Sequence, residues 1–444
     1  MACLGLFACD TNLDLQENPN AVTPNKASVN DLYNNIQLEF GSAFLNAEFA
    51  AGQMARMYHM GSFTYESAVS PATLNGLWFD AYSDLFPDIE TLNKLAEEKG
   101  LDIHAGSAKI MKAYVLMTMV DNMGDIPLFE IGQGTDVISP KSTPAAEVYK
   151  NVDELLTEAI GLLEGTNAAR PAIDNFYEGD PAKWITLAKT LKLRAAVTTR
   201  LIDPAAATTT INAILAEGDL IDSQEEDFAA QLSSKRANPD SRHWMYRNHY
   251  ETGDGQYLSN YYMWLLRAGK ADADGNPIAD PRIRYYFYRK VDDSDGQDPT
   301  TYSCHFSVLP TSPDGRPAHF DLVDERLPYC TAFPDGYIGR DHGNGTGTPP
   351  DGPIRTSFGL YPGGGQFDDN SFRDTRQAGT TGGKGEGIYP ILLSSFVDFL
   401  RAEAALTIGT NDDARVLLES GIRKSMAKVR GFERLVESTL SVIH

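Results

Sequence analysis

Apolar positions recur at helical spacing through much of this chain, and that recurrence organises everything else. Val148, Val152, Leu155, Leu156, Ala159 and Leu163 fall on one helical face, and Thr143-Pro144 ahead of them reads as an N-cap with proline in the first turn. Trp184, Leu187, Ala188, Leu191 and Ala195 make a second such stripe, and earlier ones cover Leu32 to Met57, Leu74 to Leu95 and Ala108 to Met119. Helices alternating with short polar turns predict antiparallel helix pairs stacked like tetratricopeptide repeats. No strict 34-residue period is visible, so the repeats are degenerate. The fold class is therefore mainly α.

The texture changes from about residue 203. Residues 285–289 (Tyr-Tyr-Phe-Tyr-Arg) read as a strand or buried aromatic run, and residues 310–390 are crowded with glycine and proline, as in Gly343 to Pro350 and Tyr361 to Gly365. A stretch of that length is too long for a structureless loop inside a compact domain, so it packs irregularly on the helices and is expected to carry the binding surface. Helix returns at Ile391 to Ala405 and Asp412 to Met426. The expected organisation is a scaffold of residues 29–202 and 391–444 with a loop-rich half, 203–390, in one domain.

The N-terminus supplies an address. Leu4 to Ala8 is a short apolar run that ends at Cys9, with polar Asp10, Thr11 and Asn12 following. This order resembles the lipobox of bacterial lipoproteins, in which the chain is cut before the cysteine and Cys9 becomes the acylated N-terminus. The run is shorter than a full signal and no Lys or Arg precedes it, so residues 1–9 read as a truncated signal. Residues 10–28 read as a flexible tether. Of the four cysteines, Cys304 and Cys330 could then pair or stay as small buried hydrophobes.

Charge narrows the partners. A formal net charge of −23 argues against nucleic acid and against docking on anionic lipid. The apolar content of 42% suits a globular chain, and no apolar run after Ala8 is long enough to span a bilayer.

Four collinear segments carry a family resemblance. Asp121-Asn-Met-Gly-Asp-Ile-Pro127 followed by Glu130, Gly179-Asp180 through Trp184 to Arg194, Asp280-Pro-Arg282, and Phe399-Leu-Arg-Ala-Glu403 match, in order, the landmarks of SusD/RagB-like outer-membrane lipoproteins. Leu13 to Val22 is similar to that family's opening after the lipid cysteine. Lys189-Thr190 stands where the family usually has Asn-Ser, and the family's aromatic closing segment has no match around Val429 to Val436, which reads as a C-terminal truncation. The resemblance implies a lipid-anchored protein on the outer face of the outer membrane. It also implies a SusC-type TonB-dependent transporter as partner, a glycan or in some members a peptide as ligand, and no catalysis.

Binding a glycan without chemistry needs flat aromatic rings and a few polar groups. The candidates are Trp244, Tyr246 and His249 in the dense 243–250 segment, Tyr65 beside Phe63 in a turn, Trp78, and Tyr337 and Tyr361 in the glycine-rich half. Each has a packing alternative. Trp78 shares a stripe with Tyr82, Leu85 and Ile89, whereas Trp244 and Tyr246 lie among Arg242, Arg247 and Asn248 with no stripe. Trp184 and Trp264 read as helix packing.

Other chemistries fit less well. Thr381-Gly-Gly-Lys384 lacks the first glycine and the Ser or Thr of a phosphate loop. Asp272-Ala-Asp274-Gly275 and Asp292 to Gly296 read as solvated turns rather than calcium loops, so no cofactor is assigned and structural calcium stays unsupported. The eight histidines show no ligand spacing. A tetratricopeptide-type scaffold that binds peptides in its groove is the alternative function.

Overall fold

The computed structural model describes residues 28–61, 68–130, 137, 139–251, 256–293, 322, 333, 335–343, 354–375 and 381–441. Cys9, the 10–27 tether, Phe63, Tyr65, Cys304 and Cys330 lie outside them.

Helix α1 (Val29–Met54) leads into α2 (Asn75–Phe79), a π-helical turn (Asp80–Leu85) and α3 (Phe86–Lys99). Next come α4 (Asp102–Met123), the short strands β1 (Ile126–Pro127) and β2 (Ser142–Thr143), α5 (Ala145–Leu163), α6 (Pro181–Thr198) and α7 (Pro204–Glu217). Each of α3 to α6 packs on its successor, the expected arrangement of helix pairs. Central α4 is buried nearly all round, from Ile103 to Val120, because α1, α3, α5 and α6 surround it. Gly106 lets α5 approach closely: a Cβ there would sit 2.8 Å from the Leu163 side chain.

The loop-rich half contributes β3 (Phe228–Gln231), α8 (Trp244–Tyr250), α9 (Asn260–Ala268) and α10 (Ile283–Tyr286). The turn at Asp272, between β4 (Lys270–Ala271) and β5 (Pro277–Ile278), is the predicted solvated hairpin, with the Asp272 carboxylate accepting from Asp274 N at 3.0 Å and Asn276 N at 2.8 Å. The aromatic run at 285–289 divides, β6 (Phe287–Tyr288) pairing antiparallel with β7 (Ser357–Phe358). The final layer is α11 (Ser394–Ile408) and α12 (Ala414–Ser441), packed on one another.

Two predicted boundaries move. Pro144, not Thr143, is the N-cap of α5, because Thr143 pairs with Ile126 in a short two-stranded ladder. Helix α11 starts at Ser394 rather than Ile391, since Ile388–Leu392 form a strand, β8, paired antiparallel with β3. That pairing ties the loop-rich half to the helical core.

The glycines near 361 and 382 have a structural use. Gly383 N donates to Gly365 O at 3.0 Å and Gly385 N to Gly364 O at 3.1 Å, so two turns interlock backbone against backbone. A Cβ on Gly382, which has φ +58°, would fall 2.1 Å from Gly365 O.

Candidate functional site

The landmark motifs hold the scaffold together. Gly124, at φ +77°, ends α4. Asp125 Oδ1 then accepts from Ala145 N at 2.9 Å at the start of α5, and Ile126 is fully buried. Asp121 accepts from the Tyr149 hydroxyl at 2.5 Å and faces Arg194 at 3.5 Å. Asp180 caps α6 through Ala182 N at 3.0 Å, with Pro181 in the first turn. The Asp280 carboxylate grips Arg282, with Oδ2 at 2.7 Å from one guanidinium nitrogen.

Among α1, α4, α6, α8 and β8 lies a cleft of about 420 Å³. Helix α1 supplies Phe44, Ala47, Glu48 and Ala51 from one face, β8 supplies Tyr389 and Pro390, and Trp244 stands at the start of α8. Tyr114 and Arg194 also line it. A smaller pocket of about 180 Å³ shares Glu48, Met57, Tyr58, Pro390 and Phe396 with it and reaches Lys428 of α12.

Trp244 is held in place from behind. His243 N-caps α8, its Nδ1 accepting from Met245 N at 3.2 Å. Burial lowers the His243 pKa to about 3, which keeps that nitrogen free to accept. The half-buried Trp244 ring meets Phe49, Tyr58 and Phe358 edge-on at centroid distances of 6.1, 5.9 and 5.7 Å. Tyr389 packs edge-on against His243 at 5.0 Å. Burial raises the Tyr389 hydroxyl to about 12, so it stays protonated.

Glu48 and Arg194 are the only charged side chains lining the larger cleft among the described residues. Arg194 is engaged, lying 4.9 Å from the centroid of the Tyr114 ring and facing Asp121. The Tyr58 hydroxyl donates to Glu48 Oε1, while Oε2 is buried without a hydrogen-bond partner among the described residues. Burial pushes the Glu48 carboxyl up to about 7, against the hydrogen bond from Tyr58.

Of the other candidate residues, Tyr246, His249, Tyr337 and Tyr361 are buried among packing partners, and Tyr361 also lines the smaller pocket. Tyr246 stacks on Tyr250 at 4.7 Å with the rings nearly parallel, and His249 meets Phe358 at 4.8 Å. Tyr337 is buried beneath the Arg289 guanidinium at 5.0 Å, and Tyr361 packs edge-on against Phe432 at 5.3 Å. Trp78 is the reverse case. It is 41% exposed and tilted on Tyr82 at 4.6 Å, away from the cleft lining, so its stripe with Leu85 and Ile89 does not bury it.

Tyr58, Tyr389 and Glu48 were not singled out from the sequence. Glu48 had a usable signal, a lone carboxylate one turn from Phe44 and flanked by Ala47 and Ala51 on an apolar face. Among the described residues no group of three or more His, Cys, Asp or Glu could hold a metal, and no helix is long and apolar enough to cross a membrane.

A helical scaffold with an aromatic cleft at the edge of its loop-rich half defines a class of binding proteins. The family model described as starch-binding, associating with the outer membrane, matches residues 19–307, and the chain belongs to this SusD-like family. Solved structures share the fold. A chitin-binding SusD homologue from Flavobacterium johnsoniae is 17% identical, with a TM-score of 0.58 over 89% of this chain and 72% of that one. A SusD-like protein described as Bacteroidetes AC2a is 19% identical, with a TM-score of 0.60 over 92% and 78%. A SusD homologue from Bacteroides uniformis is 18% identical, with a TM-score of 0.60 over 91% and 72%. No curated protein sequence matches.

Proposed function

We propose that this protein captures oligosaccharides at the cell surface and delivers them to a SusC-type TonB-dependent transporter, anchored to the outer membrane by acyl chains on Cys9. The Trp244 cleft is its glycan site. The observation that carries this reading is the half-buried Trp244, fixed by three rings behind it and lining a cleft that Tyr389 and Tyr58 also wall. Rigid rings can meet the C–H face of a pyranose at little entropic cost. Helices α1, α4 and α6 line part of the cleft, but Trp244 and Tyr389 come from α8 and β8, outside the helix pairs, and that aromatic wall favours a glycan over a peptide lying in a tetratricopeptide groove. Capture without turnover suits a described lining with one carboxylate, where most glycoside hydrolysis uses two.

Titration calorimetry across a panel of polysaccharides tests the reading. Wild type binds at least one of them, and Trp244→Ala weakens that binding by about 1–3 kcal/mol, the scale of a buried aromatic contact. Binding of no glycan would overturn the assignment, and release of reducing ends from a bound glycan would overturn its non-catalytic part.

A further inference from the structure

We propose that the Glu48 cleft selects glycans that carry a free amine, of the glucosamine type, and that the Glu48 carboxylate receives the ammonium. This inference rests on the glycan-binding reading of the same cleft and deepens it.

Glu48 lacks a compensating partner of its own. One oxygen takes the Tyr58 hydroxyl and the other, Oε2, is buried with nothing among the described residues to accept from. The neighbouring cations are committed elsewhere, Arg194 to Tyr114 and Asp121, and Lys428 to Asp227 at 2.8 Å. A carboxylate in such a place is costly until a donor or a positive charge reaches it. A sugar hydroxyl could supply a donor, but an ammonium supplies both donor and charge, and charge-assisted hydrogen bonds are about twice as strong as neutral ones.

The same cleft offers a second stabilisation. An ammonium near the Trp244 face gains a cation–π attraction, which is largest for tryptophan. The whole molecule acts in the same direction, since a net charge of −23 draws cationic glycans in and repels uronate or sulfated ones.

The test compares β-1,4-linked glucosamine and glucose oligomers of equal length, which differ at C2, by calorimetry at low salt on the full chain and on Glu48→Gln. Wild type is expected to bind the glucosamine oligomer at least about tenfold more tightly. In Glu48→Gln the ratio of the two affinities should collapse towards one, with the near-ultraviolet circular dichroism confirming a native fold. A wild-type ratio of one or below overturns the proposal, and so does a ratio that Glu48→Gln leaves intact. Should the variant not fold, the wild-type ratio decides by itself. If the glucosamine oligomer does not bind while a neutral polysaccharide does, the amine selection is wrong and the glycan reading stands. If no glycan binds, both fall. Tighter binding of a lysine-containing peptide than of any glycan also overturns it.

Discussion

Two tryptophans show how much a residue's surroundings decide. Trp184 is fully buried, donates from Nε1 to Asp174 Oδ2 at 2.8 Å, and packs edge-on against Tyr177 at 5.2 Å. Trp184→Ala is expected to cost about 3–5 kcal/mol in denaturant unfolding, the scale of a large aromatic cavity. Trp184→Phe keeps most of the ring but leaves Asp174 short of a donor, and should cost about 1–3 kcal/mol. A cost below 1 kcal/mol for both would remove Trp184 from the core. Trp244 had no apolar stripe to bury it, and it lines the cleft. Tyr246, His249 and Tyr250 shared its polar sequence context yet point inward. On a seven-residue helix, positions 246 and 250 fall one turn apart on a face away from 244, and no pattern in so short a helix tells which face meets the core.

At the scale of elements, the motifs that made the family legible are caps, turns and buried pairs rather than ligand contacts. They specify local backbone geometry, which is why they can be read in the sequence as short spaced patterns. The last layer depends on a different device. Asp227, at the start of β3, accepts from Ser394 N at 2.7 Å and pairs with Lys428 of α12 at 2.8 Å, both side chains being largely buried. This joins β3, α11 and α12 at one carboxylate. Lys428→Ala is expected to lower stability by about 3–5 kcal/mol, because it leaves a buried charge uncompensated. Asp227→Asn combined with Lys428→Met should recover part of that loss in the same unfolding assay. A neutral effect of Lys428→Ala would mean that α12 is held by its apolar face alone. Nothing in the local sequence pairs residue 227 with residue 428, since their meeting requires the intervening chain to fold.

Buried titratable groups set how the whole molecule responds to pH. Burial lowers His243 and His249 to about 3 and His342 to about 4, each from 6.5. Burial likewise raises Glu39 to about 8 and Glu48 to about 7, each from 4.5. Between pH 4.5 and 6.5 the unfolded chain holds protons on the three histidines that the native state lacks. Over the same range the native state holds two on Glu39 and Glu48 that the unfolded chain lacks. The histidines prevail, so stability rises with pH towards 6.5. Of these five groups only the two carboxyls still differ above 6.5, and their contribution to stability falls as pH rises through 7 to 8. The melting temperature should therefore peak near pH 6.5. His249→Gln should flatten the acid side, where a fully buried imidazole contributes at most about 1.4 kcal/mol per pH unit. A melting profile still rising at pH 8 would contradict the placement of Glu39 and Glu48.

The sequence by itself determined the mainly helical fold, the helix-pair stacking, the burial of Trp184 and the hairpin at Asp272. These follow from local causes: apolar periodicity, capping residues and turn chemistry act over a few positions and can be read there. The membership of the SusD-like family was legible for the same reason, as its landmarks are local geometry. The cleft was decided only by tertiary structure. Glu48 and Phe44 come from α1, Trp244 from α8, and Tyr389 from β8, 335 residues beyond the end of α1 at Met54. The pairing of β3 with β8 places Tyr389 beside His243, and burial there, not residue type, turns Glu48 into an uncompensated carboxyl. Exposure and desolvation belong to a packed interior, and a one-dimensional pattern does not contain them.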